Sequence, residues 1–136
     1  MKLCDTSVLV DIDRTGDDDR INRLDDEGRH VISTVSVTEL RLGVNKRYDT
    51  GRHKMDALDG LDRLLARFNV VDISRPVATA AANIIADLER RGRPLHDLHD
   101  VYIAATAQTE QLPVLTANVD HFQRIDDVTV VDWTEY

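Results

Sequence analysis

Cysteine is almost absent from this sequence of 136 residues, in which Cys4 is the single example. An internal disulfide is therefore excluded, and without a C-x-x-C pair or a Cys/His cluster the sequence offers no structural zinc site. No apolar run approaches the length of a membrane span, and Asp5 interrupts the region where a signal peptide would need apolar residues. These absences predict a reducing, cytoplasmic environment and no membrane partner.

Positive charge is also scarce, with 17 Lys and Arg against 25 Asp and Glu and a formal net charge of -8. Phosphate backbones favour dense positive surface, so the bulk charge argues against a general nucleic-acid binder. Local arrangement can override this, because basic residues cluster in 41–54 and in 90–93. With 42% hydrophobic residues the chain can bury one core, so we expect a single domain over residues 1–136.

Short apolar segments alternate with amphipathic ones along the chain. The apolar segments predict strands at 1–4, 30–33, 70–73, 114–115 and 128–131. The periodic segments predict helices at 6–13, 17–27, 36–44, 55–68, 76–91, 97–111 and, briefly, 119–123. Strands separated by helices imply parallel pairing through crossovers, so the predicted fold is a three-layer α/β/α sandwich around a mainly parallel sheet.

Three carboxylates lie at strand exits or helix starts of this predicted fold. Asp5 follows the first strand, whereas Glu39 and Asp100 lie in the first turns of two helices. In parallel sheets the functional crevice lies beyond the carboxyl ends of the strands. Three acids gathered there would repel one another unless a cation were present, and hard divalent ions prefer oxygen ligands. The pattern predicts a metal site of the kind that hydrolytic nucleases use.

Structural explanations compete with this interpretation. Glu39 would form a capping box with Ser36, which explains its position equally well. Asp97 suits a helix N-cap better than a ligand role, and Asn118 would cap the short helix that follows it. His96 and His99 flank Asp97, but no third ligand accompanies them, so solvated or packed histidines are favoured over a transition-metal site. Asp5 is the hardest to explain structurally, because a carboxylate ending a buried strand needs a partner or a cation.

Four segments resemble, in order, the motifs of PIN domains of the VapC toxin type. They are 3–11 (LCDTSVLVD), 33–44 (STVSVTELRLGV), 100–107 (DVYIAATA) and 115–122 (LTANVDHF). The resemblance covers essentially the whole chain. It implies a Rossmann-like α/β/α fold, endoribonuclease activity dependent on Mg²⁺ or Mn²⁺, a homodimer, and a cognate antitoxin that neutralises the toxin.

The same resemblance assigns roles by position. It implies that Asp5, Glu39 and Asp100 bind the metal and that the hydroxyls of Thr6 and Thr116 order water or phosphate. Asn118 stands where the family often has Asp, which leaves a second metal ion open. Position in the chain adds Asp97, which precedes Asp100 by three residues, and Asp120, which follows Asn118 by two. Arg41 lies near Glu39 and is most simply part of a solvated helix face with Arg47 and Arg52, but it would meet a substrate phosphate if the crevice forms.

Two other functions remain open from the sequence. Residues 8–15 (VLVDIDRT) match the apolar strand and D-x-D-x-T of haloacid-dehalogenase-like phosphatases, with Asp11 as nucleophile. That activity also needs a placed lysine and a late acidic pair, for which Asp126 and Asp127 are poor candidates. A non-catalytic magnesium-binding regulatory α/β module, or a PIN fold that has lost catalysis, would carry the same acids without hydrolysing RNA.

Overall fold

The computed structural model describes residues 1–16, 18–94 and 97–136. The strands in these residues are β1 (Leu3–Cys4), β2 (Val31–Ser33), β3 (Asn69–Val71), β4 (Val114–Thr116) and β5 (Val130–Asp132). The helices are α1 (Thr6–Thr15), α2 (Asp19–Asp26), α3 (Thr34–Arg47), α4 (Arg52–Leu65), α5 (Arg75–Arg90), α6 (Leu98–Glu110) and α7 (Val119–Gln123). A short 3₁₀ turn, Trp133–Glu135, follows β5.

The five strands form one parallel sheet in the order β3-β2-β1-β4-β5. β1 lies between β2 and β4, with Leu3 paired to Val31 on one side and to Val114 on the other. The predicted α/β fold with a parallel sheet is confirmed. The chain builds outward from β1 to β3 and then returns to the other side of β1, so the switch point where such folds place their ligands lies between β1 and β4.

The core divides into two clusters, one on each face of the sheet. Leu3 belongs to one cluster and its neighbour Cys4 to the other, because successive side chains in a strand point to opposite faces of the sheet. The first cluster packs β-strand residues against α5 and α6 through residues such as Leu88 and Ile103. The second packs them against α1, α2 and α4 through residues such as Leu9 and Leu24. The sheet is therefore the middle layer of three.

The third helix starts differently from the prediction. α3 follows β2 without a loop, and its N-cap is Ser33, whose hydroxyl accepts a hydrogen bond from the Val35 amide at 3.1 Å. The predicted capping box between Ser36 and Glu39 is wrong, because the helix has already begun at Thr34. The Glu39 carboxylate therefore does not cap this helix and can contact other groups.

The second helix begins at Asp19, with Asp18 as its N-cap, and the predicted start at residue 17 lies outside the described residues. The 3₁₀ turn after β5 was not predicted. It buries Trp133 against the sheet beside α1, as a member of the second cluster. None of the helices in the described ranges is long and apolar enough to span a membrane.

Candidate active site

Asp5 follows β1 directly at the switch point and is buried, with 4% of its surface exposed. Its Oδ1 accepts a hydrogen bond from the Thr6 amide at 2.8 Å, which makes it the N-cap of α1. Its Oδ2 accepts hydrogen bonds from the Ser7 hydroxyl at 2.9 Å and the Thr116 hydroxyl at 2.8 Å. A carboxylate has about four acceptor positions, so these three bonds leave about one available to a cation.

The hydroxyls on Asp5 also connect the ends of β1 and β4. Ser7 Oγ accepts a hydrogen bond from the Ala117 amide at 3.1 Å, and Thr116 Oγ1 accepts one from the Asn118 amide at 2.9 Å. Each hydroxyl therefore donates to the carboxylate and accepts from the turn after β4. This double role holds the Asp5 carboxylate in one orientation and ties the two strand exits together.

Glu39 is brought to the same end of the sheet by α3. Its Oε1 accepts a hydrogen bond from the Thr6 hydroxyl at 2.8 Å, and the same hydroxyl lies 2.8 Å from Ser36 Oγ. Its Oε2 lies 3.4 Å from Nδ1 of His99. Thr6 therefore connects the two acids, since its amide contacts Asp5 and its hydroxyl contacts Glu39.

Asp100 lies in the first turn of α6 and is 7% exposed. Burial, followed by the negative charges of Asp97 and Asp5, raises the pKa of this carboxyl from 3.8 to about 6, against the opposing effect of His121. Nδ1 of His121 lies 2.9 Å from Asp100 Oδ2. Asp97 is the N-cap of α6, as predicted, and accepts a hydrogen bond from the His99 amide at 2.9 Å. The negative charge of Asp97 nevertheless helps to raise the pKa of Asp100.

The donor set suits a hard divalent cation, because the buried groups are carboxylates whose negative charges oppose one another. Yet within residues 1–16, 18–94 and 97–136 no three Asp, Glu, His or Cys side chains are already gathered around one point for a metal ion. The convergence of Asp5, Glu39 and Asp100 on one ion therefore stays a prediction. Hydroxyl and imidazole groups contact the acids, since Thr6 donates to Glu39 and His121 lies against Asp100.

The remaining predicted site residues, Asn118, Asp120 and Arg41, are all exposed. Asn118 is exposed before α7 and makes no side-chain capping hydrogen bond, so the predicted cap is wrong. Asp120 is exposed in the first turn of α7. Arg41 is exposed on α3 and, among the described residues, makes no side-chain hydrogen bond or ion pair. Residues two apart on a helix do not share a face, so Arg41 does not follow Glu39 into the site.

The hydroxyl roles also differ from expectation. Thr6 and Thr116 were expected to order water or phosphate, whereas both donate to carboxylates. Sequence reasoning missed two contacting residues, Ser7 and His121, and it gave Ser36 and His99 other roles. Ser7 lies two residues after Asp5, and Asp and Ser side chains often form hydrogen bonds at such short spacings. The Ser7 contact could therefore have been predicted from the sequence. His121 carried no comparable signal, and His96 lies outside the described residues.

The phosphatase alternative fails on the position of Asp11. This residue lies inside α1 rather than at a strand end. Its Oδ2 accepts hydrogen bonds from the Trp133 indole at 2.7 Å and the Arg20 guanidinium at 3.0 Å. These contacts lower the pKa of Asp11, with the Trp133 hydrogen bond as the largest cause. Asp11 anchors the 3₁₀ turn and α2 to α1, which is a structural role.

The chain is thus a three-layer α/β/α protein with buried acids at the switch point of its parallel sheet. The chain belongs to the PIN domain family, whose sequence profile matches residues 2–128. It is 31% identical to the tRNA(fMet)-specific endonuclease VapC of Shigella flexneri over 79% of this chain and 78% of that protein. It is 30% identical to Ribonuclease VapC1 of Methanocaldococcus jannaschii over 92% of this chain and 81% of that protein.

Among solved structures, the chain is similar to one in DNA-bound VapBC from Salmonella typhimurium. The TM-score is 0.84 and the identity 25%, over 98% of this chain and 99% of that one. The resemblance to VapC-type PIN domains inferred from the four motifs is confirmed.

Proposed function

We propose that this protein is an endoribonuclease that hydrolyses phosphodiester bonds in RNA and acts as the toxin of a toxin–antitoxin pair. Its relatives carry the names ribonuclease and endonuclease VapC, and similar solved structures are VapBC complexes. A cognate antitoxin is therefore its protein partner. The homodimer and the cytoplasmic location inferred from the sequence stay predictions.

The observation that carries the proposal is that Asp5 and Asp100 are both buried and lie close enough for the charge of Asp5 to act on Asp100. Both carboxylates are buried, and Asp5 contributes to raising the pKa of Asp100 to about 6. Burying two acids where the charge of Asp5 disfavours the ionised form of Asp100 is costly in a protein that needs only stability. A divalent cation between them would remove that cost. We therefore assign metal binding to Asp5 and Asp100, with Glu39 as the third acid.

The ion we propose is Mg²⁺ or Mn²⁺, since the donors are carboxylate oxygens. When bound, such an ion supplies Lewis acidity toward a phosphate group. The protein's own residues orient the acids: Ser7 and Thr116 hold Asp5, Thr6 holds Glu39, and His121 contacts Asp100. Asn118 has its amide side chain exposed beside His121 and is assigned to substrate or water contact.

The test is an RNA cleavage assay on purified protein separated from its antitoxin. We expect cleavage with Mn²⁺ or Mg²⁺, none with a chelator, and a loss of about 100-fold or more in Asp5→Asn and Asp100→Asn. Asp59→Asn is the matched control, because Asp59 is an exposed acid on α4 without a side-chain partner in the described residues. Cleavage that persists in chelator, or in both site variants, would contradict the proposal.

A second readout follows binding rather than catalysis. Mn²⁺ should raise the melting temperature of the wild-type protein, since a ligand that binds the folded state stabilises it. Asp5→Asn and Asp100→Asn should lose this increase, whereas Asp59→Asn should keep it. A non-catalytic regulatory module would show the increase in melting temperature without any RNA cleavage.

A further inference from the structure

A surface depression of about 600 Å³ lies where the end of α5 faces α7. It is lined by Gly92, Arg93, Pro94, Asp120, Gln123 and Arg124. Two of these six residues are arginines, in a chain whose formal net charge is -8. The depression therefore has a local excess of positive charge, with two arginines against the single acid Asp120.

The two arginines differ from their neighbour Arg91. Arg91 pairs with Asp87 at 2.7 Å and donates a hydrogen bond to the Arg124 carbonyl at 2.9 Å. The guanidinium groups of Arg93 and Arg124, by contrast, make no hydrogen bond or ion pair within 1–16, 18–94 and 97–136. Arg91 therefore fixes the backbone of Arg124, while Arg93 and Arg124 keep their guanidinium donors available to a ligand.

This depression adjoins the proposed active site. Asp120 lines it and also lines a smaller depression of about 280 Å³ that includes Asn118 and His121. His121 in turn contacts Asp100. α7 has five residues and spans about 7.5 Å, so the two depressions lie within a few nucleotides of each other along a bound strand. An RNA strand bound near Asp100 would therefore reach the larger depression by passing along α7.

We propose that Arg93 and Arg124 bind backbone phosphates of the RNA strand on one side of the bond that is cut. This inference rests on the proposed ribonuclease function and adds the residues that position its substrate. Guanidinium groups match phosphate oxygens in two-point hydrogen bonds, and an acidic protein needs such a local site to hold a polyanion. Neither arginine contacts Asp5, Glu39 or Asp100, so both act through the position of the strand.

The experiment measures binding of a labelled single-stranded RNA in chelator, by fluorescence anisotropy at several salt concentrations. We expect Arg93→Ala and Arg124→Ala each to weaken binding about 10-fold. Each should also make the slope of log K against log[salt] shallower by about 0.7, because one phosphate contact is lost. Arg93→Lys and Arg124→Lys should retain most of the slope, since a cation remains.

Arg75→Ala is the control, because it removes one exposed arginine at the opposite end of α5. A second readout is RNA cleavage with Mn²⁺, where the two arginine variants should raise KM and leave kcat nearly unchanged. Thermal melting checks that the variants fold. If both variants match Arg75→Ala in affinity, slope and KM, the inference is overturned while the ribonuclease function stands. Wild-type protein that neither binds nor cuts RNA would overturn both, and loss of antitoxin binding alone would assign the arginines to a protein contact instead.

Discussion

The hydroxyl of Thr116 donates a hydrogen bond to Asp5 Oδ2 over 2.8 Å, although the two residues are 111 positions apart in the chain. The bond crosses the switch point of the sheet, from the end of β4 to the end of β1. It is one of three hydrogen bonds that fix the Asp5 carboxylate, and Thr116 itself is fully buried. The orientation of the central acid thus depends on the alignment of two neighbouring parallel strands.

Replacing this hydroxyl should affect both stability and activity. Thr116→Val keeps the shape of the side chain but removes the acceptor of the Asn118 amide and one of the three donors to Asp5. We expect a loss of about 1–3 kcal/mol in the free energy of unfolding, measured by urea denaturation, and a fall of about 10-fold or more in RNA cleavage. Thr116→Ser should recover most of both.

Thr109→Val is the control for that substitution. Thr109 also carries a hydrogen-bonding hydroxyl, to the Ala105 carbonyl at 2.8 Å, but it is exposed on α6 and away from the acids. We expect a change within about 0.5 kcal/mol and normal cleavage. Equal effects of the two substitutions would contradict the role assigned to Thr116.

Thr6 should act on catalysis through Glu39. Thr6→Val removes the hydroxyl that donates to Glu39 Oε1, while the backbone amide that contacts Asp5 remains. We expect RNA cleavage to fall about 10- to 100-fold and the Mn²⁺ dependence to shift to higher concentration. Thr6→Ser should restore both, and a Thr6→Val protein with unchanged Mn²⁺ dependence would show that Glu39 needs no orientation.

Asp100 should destabilise the metal-free protein above pH 6. Its pKa is raised from 3.8 to about 6, chiefly by burial, so between these pH values the folded state binds more protons than the unfolded state. Stability therefore falls as pH rises through this window and stays lower above it. In chelator at pH 8, Asp100→Asn should be more stable than wild type by about 1–3 kcal/mol in urea denaturation, and the gain should vanish below about pH 4.

Saturating Mn²⁺ provides the control for that result. The ion should stabilise wild type and leave Asp100→Asn nearly unchanged, so the difference between them should shrink or reverse. An Asp100→Asn protein that is less stable than wild type at pH 8 in chelator would show that the buried charge is already compensated without a metal.

Asp11 should behave as a structural acid. Its pKa is lowered, first by the Trp133 hydrogen bond, so its contribution to stability is present above its ordinary pKa of 3.8 and is lost as pH falls below that value. The side chain is 36% exposed, so solvent screening limits the effect, and Asp11→Asn should cost about 1 kcal/mol at pH 7. RNA cleavage should be unchanged, whereas its loss would revive a catalytic role for Asp11.

Much of the fold was predictable because local periodicity and burial agree here. Each strand and helix was predicted within a few residues, and Asp5 stood out because a carboxylate after a buried strand needs an explanation. The start of α3 was mispredicted because Ser33 and Ser36 both suit an N-cap. Local sequence does not decide between them, whereas the direct entry from β2 into the helix does.

Hydrophobic period and residue order were enough to predict the parallel α/β architecture and the acids that stand at strand exits and helix starts. The contacts of each acid could not be predicted in this way. The contacts of Asp100 with His121 and of Thr6 with Glu39 join residues 21 and 33 positions apart, and they depend on how helices pack at the end of the sheet. These side-chain contacts cannot be read from any period or spacing along the chain, because they arise when the helices pack together in three dimensions.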